Sequence, residues 1–240
     1  MKSPALLLSL ALCSWAVLIP LASAQSVCAS DGQPKPVRLM ERFTSADCAD
    51  CWRVPATAKA APGTAVLDWV LPGAQRDDAP LSAVASRDGA ARLQAIGESM
   101  PSTTSVKIRS ITPDAALKKA ALRVARGLAL SGYIGTSIEL KPAPGRAKAA
   151  HVTAWLALVE TLPAGLEGSP VERNLVRNVF QSDWNLRKKL SKSEKNHWFD
   201  QRSMSVAEGV NPDRLTVIGW VEDDQGRILA AAQSVCSPTP

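Results

Sequence analysis

Two cysteines separated by two residues, Cys48-Ala49-Asp50-Cys51, are the part of the sequence best suited to chemistry. In thiol–disulfide exchange one thiolate attacks a disulfide, and a second sulfur within reach resolves the mixed disulfide that forms. Backbone amides at the start of a helix lower the pKa of a nearby thiol and make it a nucleophile. The spacing therefore predicts Cys48 as the attacking sulfur and Cys51 as the resolving sulfur.

Charged residues on either side of the pair act in opposite directions. Asp47 and Asp50 disfavour a thiolate on the first sulfur, whereas Arg53 and Arg42 favour it. Because these effects nearly cancel, we expect a disulfide that is harder to reduce than one flanked by His or Lys. A purely structural bridge between the two cysteines is therefore an open alternative to a redox-active one.

The first 24 residues have the features of a secretory signal. Lys2 provides the positive start, Leu6–Leu21 the apolar stretch, and Ala22-Ser23-Ala24 the small residues of a cleavage site. No other stretch approaches the ~18 apolar residues that a spanning helix needs. The sequence therefore predicts an exported protein, periplasmic or secreted, with no membrane association after signal cleavage.

Export makes the cysteine count informative. Cys13 is removed with the signal, and the four cysteines that remain allow three pairings in an oxidising compartment. The close spacing of Cys48 and Cys51 favours a local pair, which leaves Cys28 and Cys236 to join the two ends of the mature chain. We expect this second bridge to be structural.

Hydrophobic patterning predicts the elements that position the cysteines. A strand over 36–44 runs into Thr44-Ser45-Ala46-Asp47, whose side-chain oxygens are N-cap groups for a helix beginning near Cys48. A second strand over 65–71, a modest helix between Leu81 and Ile96 that is interrupted near Asp88-Gly89, and a third strand over 104–111 follow. Asp68, at the end of the second strand, is expected to be solvated; a buried Asp68 would be placed to relay protons.

The strongest helix signal begins at Thr112, an N-cap residue followed by Pro113 and Asp114. Apolar residues then recur along one stripe as far as Leu128, which predicts a helix over this segment. After Gly132 the patterning changes to period-two and continuous apolar runs. These runs predict strands over 133–141, 151–162, 171–181, 215–222 and 227–232.

Three segments together carry a resemblance to a known family. Leu39-Met-Glu-Arg-Phe-Thr-Ser-Ala-Asp-Cys-Ala-Asp-Cys51 resembles the E-L-F-T-S-x-G-C-x-x-C-P-P motif of secreted bacterial thioredoxin-like proteins grouped as domain of unknown function 1223. Val171-Glu-Arg-Asn-Leu-Val-Arg177 is similar to that family's segment leading to N-V-V-R, and 215–231 resembles its closing hairpin. Asp47 stands in place of the motif's glycine, and Trp52-Arg53-Val54 in place of its prolines.

The resemblance implies an α/β fold, with a thioredoxin-like domain over 25–131 and an additional β-rich C-terminal domain over 132–240. It also implies a cis-proline facing the cysteines, and Pro101 matches that position by order in the chain. On this basis Cys48, Cys51 and Pro101 form the predicted catalytic set. The predicted function is thiol–disulfide exchange with a protein thiol or disulfide, and the alternative is a non-catalytic secreted binding or structural protein.

Other classes of function have little support in the sequence. The 28 basic and 22 acidic residues are interspersed, so the net charge of +6 does not predict a nucleic-acid partner. His151 and His197 lack ligand spacing to the cysteines, so no metal site is expected. No phosphate loop or hydrolase motif is present, and no cofactor is predicted. The sequence does not predict an oligomeric state.

Overall fold

The computed structural model describes residues 28–55, 59–113, 117–141, 151–186 and 197–236. The predicted signal, the turn at 142–145 and the basic run at 187–195 lie outside these ranges. Within them the chain forms two α-helices, α1 (Ala49–Arg53) and α2 (Arg87–Ala95). The strands are β1 (Cys28–Ala29), β2 (Arg38–Ser45), β3 (Thr64–Leu71), β4 (Thr104–Ser110), β5 (Ala121–Leu130), β6 (Tyr133–Lys141), β7 (His151–Leu162), β8 (Arg173–Asn185), β9 (Trp198–Ser205), β10 (Leu215–Asp223), β11 (Ile228–Gln233) and β12 (Val235–Cys236).

These strands form two sheets. One has the order β11-β10-β7-β8-β3-β2-β4, with parallel pairing of β3 to both β2 and β8 and antiparallel pairing elsewhere. The other has the order β12-β1-β5-β6-β9 and is antiparallel throughout. Both sheets contain strands from each side of residue 131.

The predicted α/β, thioredoxin-like fold is wrong, because the described chain is a β-rich protein of two sheets. The local order of strand, cysteine pair, short helix and strand is present in β2, α1 and β3. However, α1 has five residues and α2 nine, so helices do not cover the sheet faces as they do in a layered α/β fold. The second sheet and the curling of the first cover those faces instead.

The seven-stranded sheet curls until its two edges meet. Just after β4, the backbone N–H of Thr112 donates to the carbonyl of Ile228 in β11 at 2.8 Å. The Arg109 side chain also donates to the Gly226 carbonyl at 3.2 Å. The concave face buries an apolar cluster drawn from β2, β3, β7, β8, β10 and β11, closed on one side by Leu93 of α2. This curling brings side chains of strands that are far apart in the sheet into contact.

The convex side of β7 and β10 packs on the five-stranded sheet and forms the largest apolar cluster. Gly219 of β10 allows the two sheets to approach, since a Cβ there would lie 2.5 Å from Val124 Cγ1 and 3.0 Å from Ile138 Cδ1. A larger residue at this position would overpack the interface. None of the α-helices in the described residues is long and apolar enough to cross a membrane.

The predicted helix from Thr112 to Leu128 is wrong, because residues 121–128 lie in β5 and, of the described residues before them, only Leu117–Lys119 are helical, in a single 3₁₀ turn. Leu122 and Val124 alternate into the sheet interface, while Ala121 and Leu128 of the supposed helical stripe are exposed. Arg123 points to the other side and pairs with Asp31 at 2.8 Å. The apolar residues of the segment fit both the 3.6-residue period of a helix and the two-residue period of a strand, and pairing with β1 and β6 selects the strand.

Candidate redox site

Cys48 and Cys51 are joined by a disulfide bond at the junction of β2 and α1. Both residues are half-buried, so the bridge is partly accessible to solvent. Cys48 is the N-cap residue of α1, and no side chain caps the helix at this end. The predicted local pairing and the strand-to-helix position are therefore confirmed. A helix of five residues has a small dipole, so the expected stabilisation of a Cys48 thiolate by the helix is weak.

Asp47 does not cap α1 as the sequence indicated. Its carboxylate instead accepts hydrogen bonds from the backbone N–H groups of Ala74, at 2.7 Å, and Gln75, at 3.2 Å. Gly73 makes this approach possible, because a Cβ at that position would lie 2.1 Å from Asp47 Oδ1. The residue before Cys48 is thus tied to the loop that follows β3.

Trp52, the residue after Cys51, anchors the other side of the cysteine pair. Its side chain is 1% exposed and packs into a small apolar cluster with Val70, Leu162 and Leu175. The indole Nε1 donates to the Glu167 carbonyl at 2.9 Å, across 115 residues of sequence. Trp52 is therefore a core residue, and it fixes the end of the motif to the body of the protein.

Arg173 of β8 binds the C-terminal end of α1. Its Nη2 donates to the Trp52 carbonyl at 2.5 Å and to the Val54 carbonyl at 3.2 Å, and Nε donates to Ser169 Oγ at 3.2 Å. The guanidinium carbon also lies 4.9 Å from the centre of the Trp52 ring, a cation–π contact. Burial lowers the pKa of Arg173, an effect that the nearby Asp68 opposes and Arg42 reinforces.

Asp68 lies next to Arg173 and is 1% exposed, so the expectation of a solvated Asp68 is wrong. It forms a two-point ion pair with Arg42 of β2, one contact of which measures 2.5 Å. It also accepts from the Asn174 N–H at 2.7 Å and lies 3.9 Å from Arg173 Nη1. Since Arg42 and Arg173 both surround it, Asp68 is a structural counter-ion and carries no support for a proton relay.

The remaining charged neighbours of the disulfide are exposed. Arg53 bridges Asp50 at 3.1 Å, with side chains 63% and 93% exposed, so this pair contributes little to stability. Pro101 is half-buried and its peptide bond is trans, so the predicted cis-proline is not found. Its loop does lie at the cysteine end of the sheet, because the Ser45 N–H donates to the Thr103 carbonyl at 2.8 Å.

The Cys28–Cys236 disulfide, also as predicted, has a different environment. Cys28 is 1% exposed, Cys236 is half-buried, and the two lie directly opposite each other in the two-residue pairing of β1 with β12. Arg126 Nη2 lies 3.2 Å from Cys236 Sγ and Nε donates to the Leu215 carbonyl at 3.0 Å. The two bridges thus differ at one residue, because Cys28 is buried whereas Cys236, Cys48 and Cys51 are all half-buried.

A groove of about 330 Å³ runs along the face of α1. Trp52 and Arg53 form one wall, and the short 3₁₀ turn at Ser82–Val84 forms the other. Its lining is mostly small and apolar: Ala49, Trp52, Arg53, Pro80, Leu81, Ala83, Val84, Glu167 and Gly168. The groove shares α1 with the cysteine pair, although neither cysteine lines it.

Sequence reasoning found the cysteines but not the residues that hold them. Arg173 and Glu167 are more than a hundred residues away from the motif, and no local signal connects them to it. The one available signal is the family resemblance of the segment Val171–Arg177, which contains Arg173 but does not single it out. His151 and His197 begin or precede strands and are not part of this site.

The fold and the site together define a β-rich, two-sheet protein with one disulfide that joins β1 to β12 and one Cys-x-x-Cys disulfide between two half-buried residues. No protein-family model and no curated protein matches the chain. Among solved structures, HBP35 of Porphyromonas gingivalis is similar over 83% of this chain and 74% of that one, with 10% identity and a TM-score of 0.48. An endonuclease/exonuclease/phosphatase from Beutenbergia cavernae is similar over 55% of this chain and 30% of that one, with 12% identity and a TM-score of 0.27.

Neither likeness indicates what this chain does. Membership of the family with domain of unknown function 1223 stays a prediction. The two disulfides are compatible with an extracellular or periplasmic location.

Proposed function

We propose that this protein exchanges its Cys48–Cys51 disulfide with the thiols of partner proteins in the periplasm or outside the cell. The observation that supports the proposal is the contrast between the two bridges. The Cys48–Cys51 bridge joins two half-buried residues at the start of α1, whereas the other bridge joins half-buried Cys236 to Cys28, which is 1% exposed. Exchange requires access of an attacking thiolate to a sulfur, and the first bridge offers it at both residues, the second at Cys236 alone.

The reaction is balanced without a cofactor. A partner thiolate attacks Cys48 Sγ, the Cys48–Cys51 bond breaks, and Cys51 leaves as a thiolate that takes up a proton. A second thiolate of the partner attacks the partner's sulfur in the mixed disulfide and releases Cys48 as a thiolate, which is protonated in turn. The partner dithiol becomes a disulfide and the protein becomes a dithiol. In the reverse direction Cys48 attacks and Cys51 resolves.

A structural role for the same bridge is the second candidate, and the anchoring of α1 favours it. The segment just after Cys51 is anchored by the Trp52 indole, which donates to the Glu167 carbonyl, and by Arg173, which donates to the Trp52 carbonyl. A bridge here therefore also completes a tightly packed turn. In that case the bridge would resist reduction as Cys28–Cys236 is expected to do. The two candidates therefore differ in one measurable property, the reduction potential.

A glutathione titration distinguishes them. We expect Cys48–Cys51 to be reduced reversibly at a potential above about −300 mV while Cys28–Cys236 stays oxidised, because structural bridges of exported proteins lie below that value. Alkylation followed by peptide mass analysis identifies which cysteines react. The Cys28–Cys236 bridge serves as the control within the same molecule. If both bridges resist reduction to the same extent, the exchange proposal is wrong.

Single-cysteine variants test the roles of the two sulfurs. In Cys51→Ala, Cys48 should attack glutathione disulfide and accumulate as a mixed disulfide about threefold faster than Cys51 does in Cys48→Ala, because Cys48 lies at the helix start and Cys51 within the helix. The rates are followed by mass spectrometry at pH 7. Equal rates, or a faster Cys51, would contradict the assignment of Cys48 as the attacking sulfur.

The groove beside α1 predicts a difference between small and large substrates. Ala83→Trp should fill the groove and slow exchange with a reduced, unfolded protein about tenfold, while the rate with glutathione changes less than twofold, since glutathione does not need the groove. Ala91→Trp, on an exposed position of α2, is the matched control. Equal slowing of both substrates by Ala83→Trp would show that the groove does not bind the partner.

A further inference from the structure

We infer that Arg173 is a positioning residue that sets the reduction potential of the Cys48–Cys51 pair by holding α1 in place when the disulfide is open. This inference rests on the proposed function, since it concerns the same pair of sulfurs. Arg173 acts through Trp52, the residue directly after Cys51, whose carbonyl and ring it contacts.

The contacts of Arg173 show how it acts. The guanidinium donates to two backbone carbonyls, those of Trp52 and Val54, at the point where α1 ends. It is buried, with 2% of its side chain exposed, and Asp68 lies 3.9 Å from its Nη1. Asp68 is in turn fixed by Arg42, so the carbonyls of α1 are linked to β2 and β3 through a chain of buried charges.

The same helix is fixed independently of the disulfide at two other points. Asp47 is tied to the backbone of Ala74 and Gln75, and the Trp52 indole to the carbonyl of Glu167. Both ends of the segment from Asp47 to Val54 are therefore held when the sulfur–sulfur bond breaks. The two thiols of the reduced form should remain close together.

Closeness of the thiols determines how strongly the disulfide is favoured. Two thiols held near each other have a high effective concentration, which favours the oxidised form and lowers the reduction potential. Loosening the end of α1 reduces this effective concentration and raises the potential. The positive charge of Arg173 acts in the opposite direction, because a nearby cation stabilises thiolate and so favours the reduced form.

Arg173→Lys separates these two effects, because it keeps the charge but removes the planar fork that binds two carbonyls at once. We expect the equilibrium constant to shift about tenfold toward the reduced form, which is about 30 mV upward for a two-electron couple. The potential is measured by glutathione titration of the full mature chain. Hydrogen exchange of the 48–54 segment in the reduced form should become faster in this variant than in the wild type.

Arg126→Lys is the matched control. Arg126 is also a buried arginine that donates to backbone carbonyls, those of Leu215 and Gly127, but it lies on β5 and not against α1. Arg126→Lys should lower the stability of the protein by an amount comparable with Arg173→Lys and leave the reduction potential of Cys48–Cys51 unchanged. Ser169→Ala, which removes the hydroxyl that accepts from Arg173 Nε, is a milder variant and should shift the potential in the same direction by a smaller factor.

The outcomes distinguish this inference from the proposed function. If the wild-type bridge does not exchange with glutathione at all, the proposed function fails. If the wild type exchanges but Arg173→Lys and Ser169→Ala leave its potential unchanged, or lower it, positioning by Arg173 is wrong. If Arg126→Lys shifts the potential as much as Arg173→Lys does, the shift reflects general loss of stability, and the inference is also wrong.

Discussion

Replacing Arg92 with methionine should destabilise the protein by about 3–5 kcal/mol, the range found when one partner of a buried ion pair is removed. Arg92 of α2 is fully buried inside the curled sheet. Its guanidinium binds Glu41 of β2 through Nε at 2.8 Å and Glu222 of β10 through Nη2 at 2.6 Å. These two strands are separated by three others in the sheet, so Arg92 joins opposite walls of the curl.

The surroundings of Arg92 make this contact hard to replace. The guanidinium carbon lies 4.6 Å from the centre of the Trp155 ring and 5.1 Å from that of Trp220, and the two rings stack on each other. Burial lowers the pKa of Arg92, but the two carboxylates outweigh it and raise the pKa above its ordinary value. In Arg92→Met the two carboxylates would share Arg109 alone, which leaves an excess negative charge inside the sheet.

Urea unfolding at pH 7 measures the loss, and Arg87→Met is its control. Arg87 begins the same helix but is exposed, so its replacement should change the free energy of unfolding by less than about 0.5 kcal/mol. A loss below about 1 kcal/mol for Arg92→Met would show that the apolar contacts of α2 alone hold the curl closed.

The pH dependence of stability gives an independent check of the same network. Burial raises the pKa of Glu222, but the hydrogen bond and charge of Arg92, helped by Arg109 and Trp220, bring it below the ordinary value of 4.5. A lowered pKa in the folded state contributes stability that is present above pH 4.5 and is lost as the pH falls through the folded-state pKa. Without Arg92, burial dominates and protonation of Glu222 relieves the excess charge. The stability difference between wild type and Arg92→Met should therefore narrow as the pH falls from about 7 to about 4.

The strands of the second half could be predicted because their residues alternate between two environments. In β6, Ile134, Thr136, Ile138 and Leu140 are buried while the residues that alternate with them are more exposed, and this period of two is visible in the sequence. The segment of β5 was assigned to a helix because Leu117, Ala121, Val124 and Leu128 also fit a helical stripe. Pairing with β6, the next strand in the chain, and with β1, more than 90 residues away in sequence, determines its structure.

The overall fold was mispredicted for a related reason. The segment around Cys48 has the local order of a thioredoxin-like motif, and β2, α1 and β3 reproduce that order. Whether such a motif sits in a layered α/β fold depends on what covers the sheet. Here Arg92, Glu41 and Glu222 come together only after the sheet curls, and each alone looks like an ordinary surface charge in the sequence.

In the candidate site, too, part of the structure could be predicted from the sequence and part could not. Pairing of Cys48 with Cys51 followed from their spacing, and pairing of Cys28 with Cys236 followed from the even number of cysteines left in a chain predicted to be exported. Two contacts hold the motif, one from Asp47 to the loop after β3 and one from Trp52 to Arg173 of β8. No sequence pattern connects either of these segments to the motif. The pairing of the cysteines was thus visible in the sequence, whereas the contacts that position them were not.

Removing the Cys28–Cys236 bridge should cost about 2–5 kcal/mol, which makes it the other large effect expected for this chain. The two cysteines are separated by 208 residues, and the chain-entropy estimate for a loop of this length is about 5 kcal/mol. The bridge also fixes β1, which has only two residues and lies between β12 and β5. In Cys28→Ala/Cys236→Ala we expect faster hydrogen exchange in β1 and β12 together with the loss of global stability.

The second bridge provides the comparison for this experiment. Cys48 and Cys51 are three residues apart, and closure of so short a loop restricts the unfolded chain much less, so Cys48→Ala/Cys51→Ala should cost about 1–2 kcal/mol. Guanidinium unfolding of both double variants tests the order of the two effects. The Ser30 N–H donates to the Val124 carbonyl at 3.0 Å, and Ser30 Oγ accepts from the Val124 N–H, so the residue directly after β1 has bonds of its own. If these bonds and the β1–β12 pairing suffice, the first variant will lose no more stability than the second, and the bridge will not be what holds the two ends of the chain together.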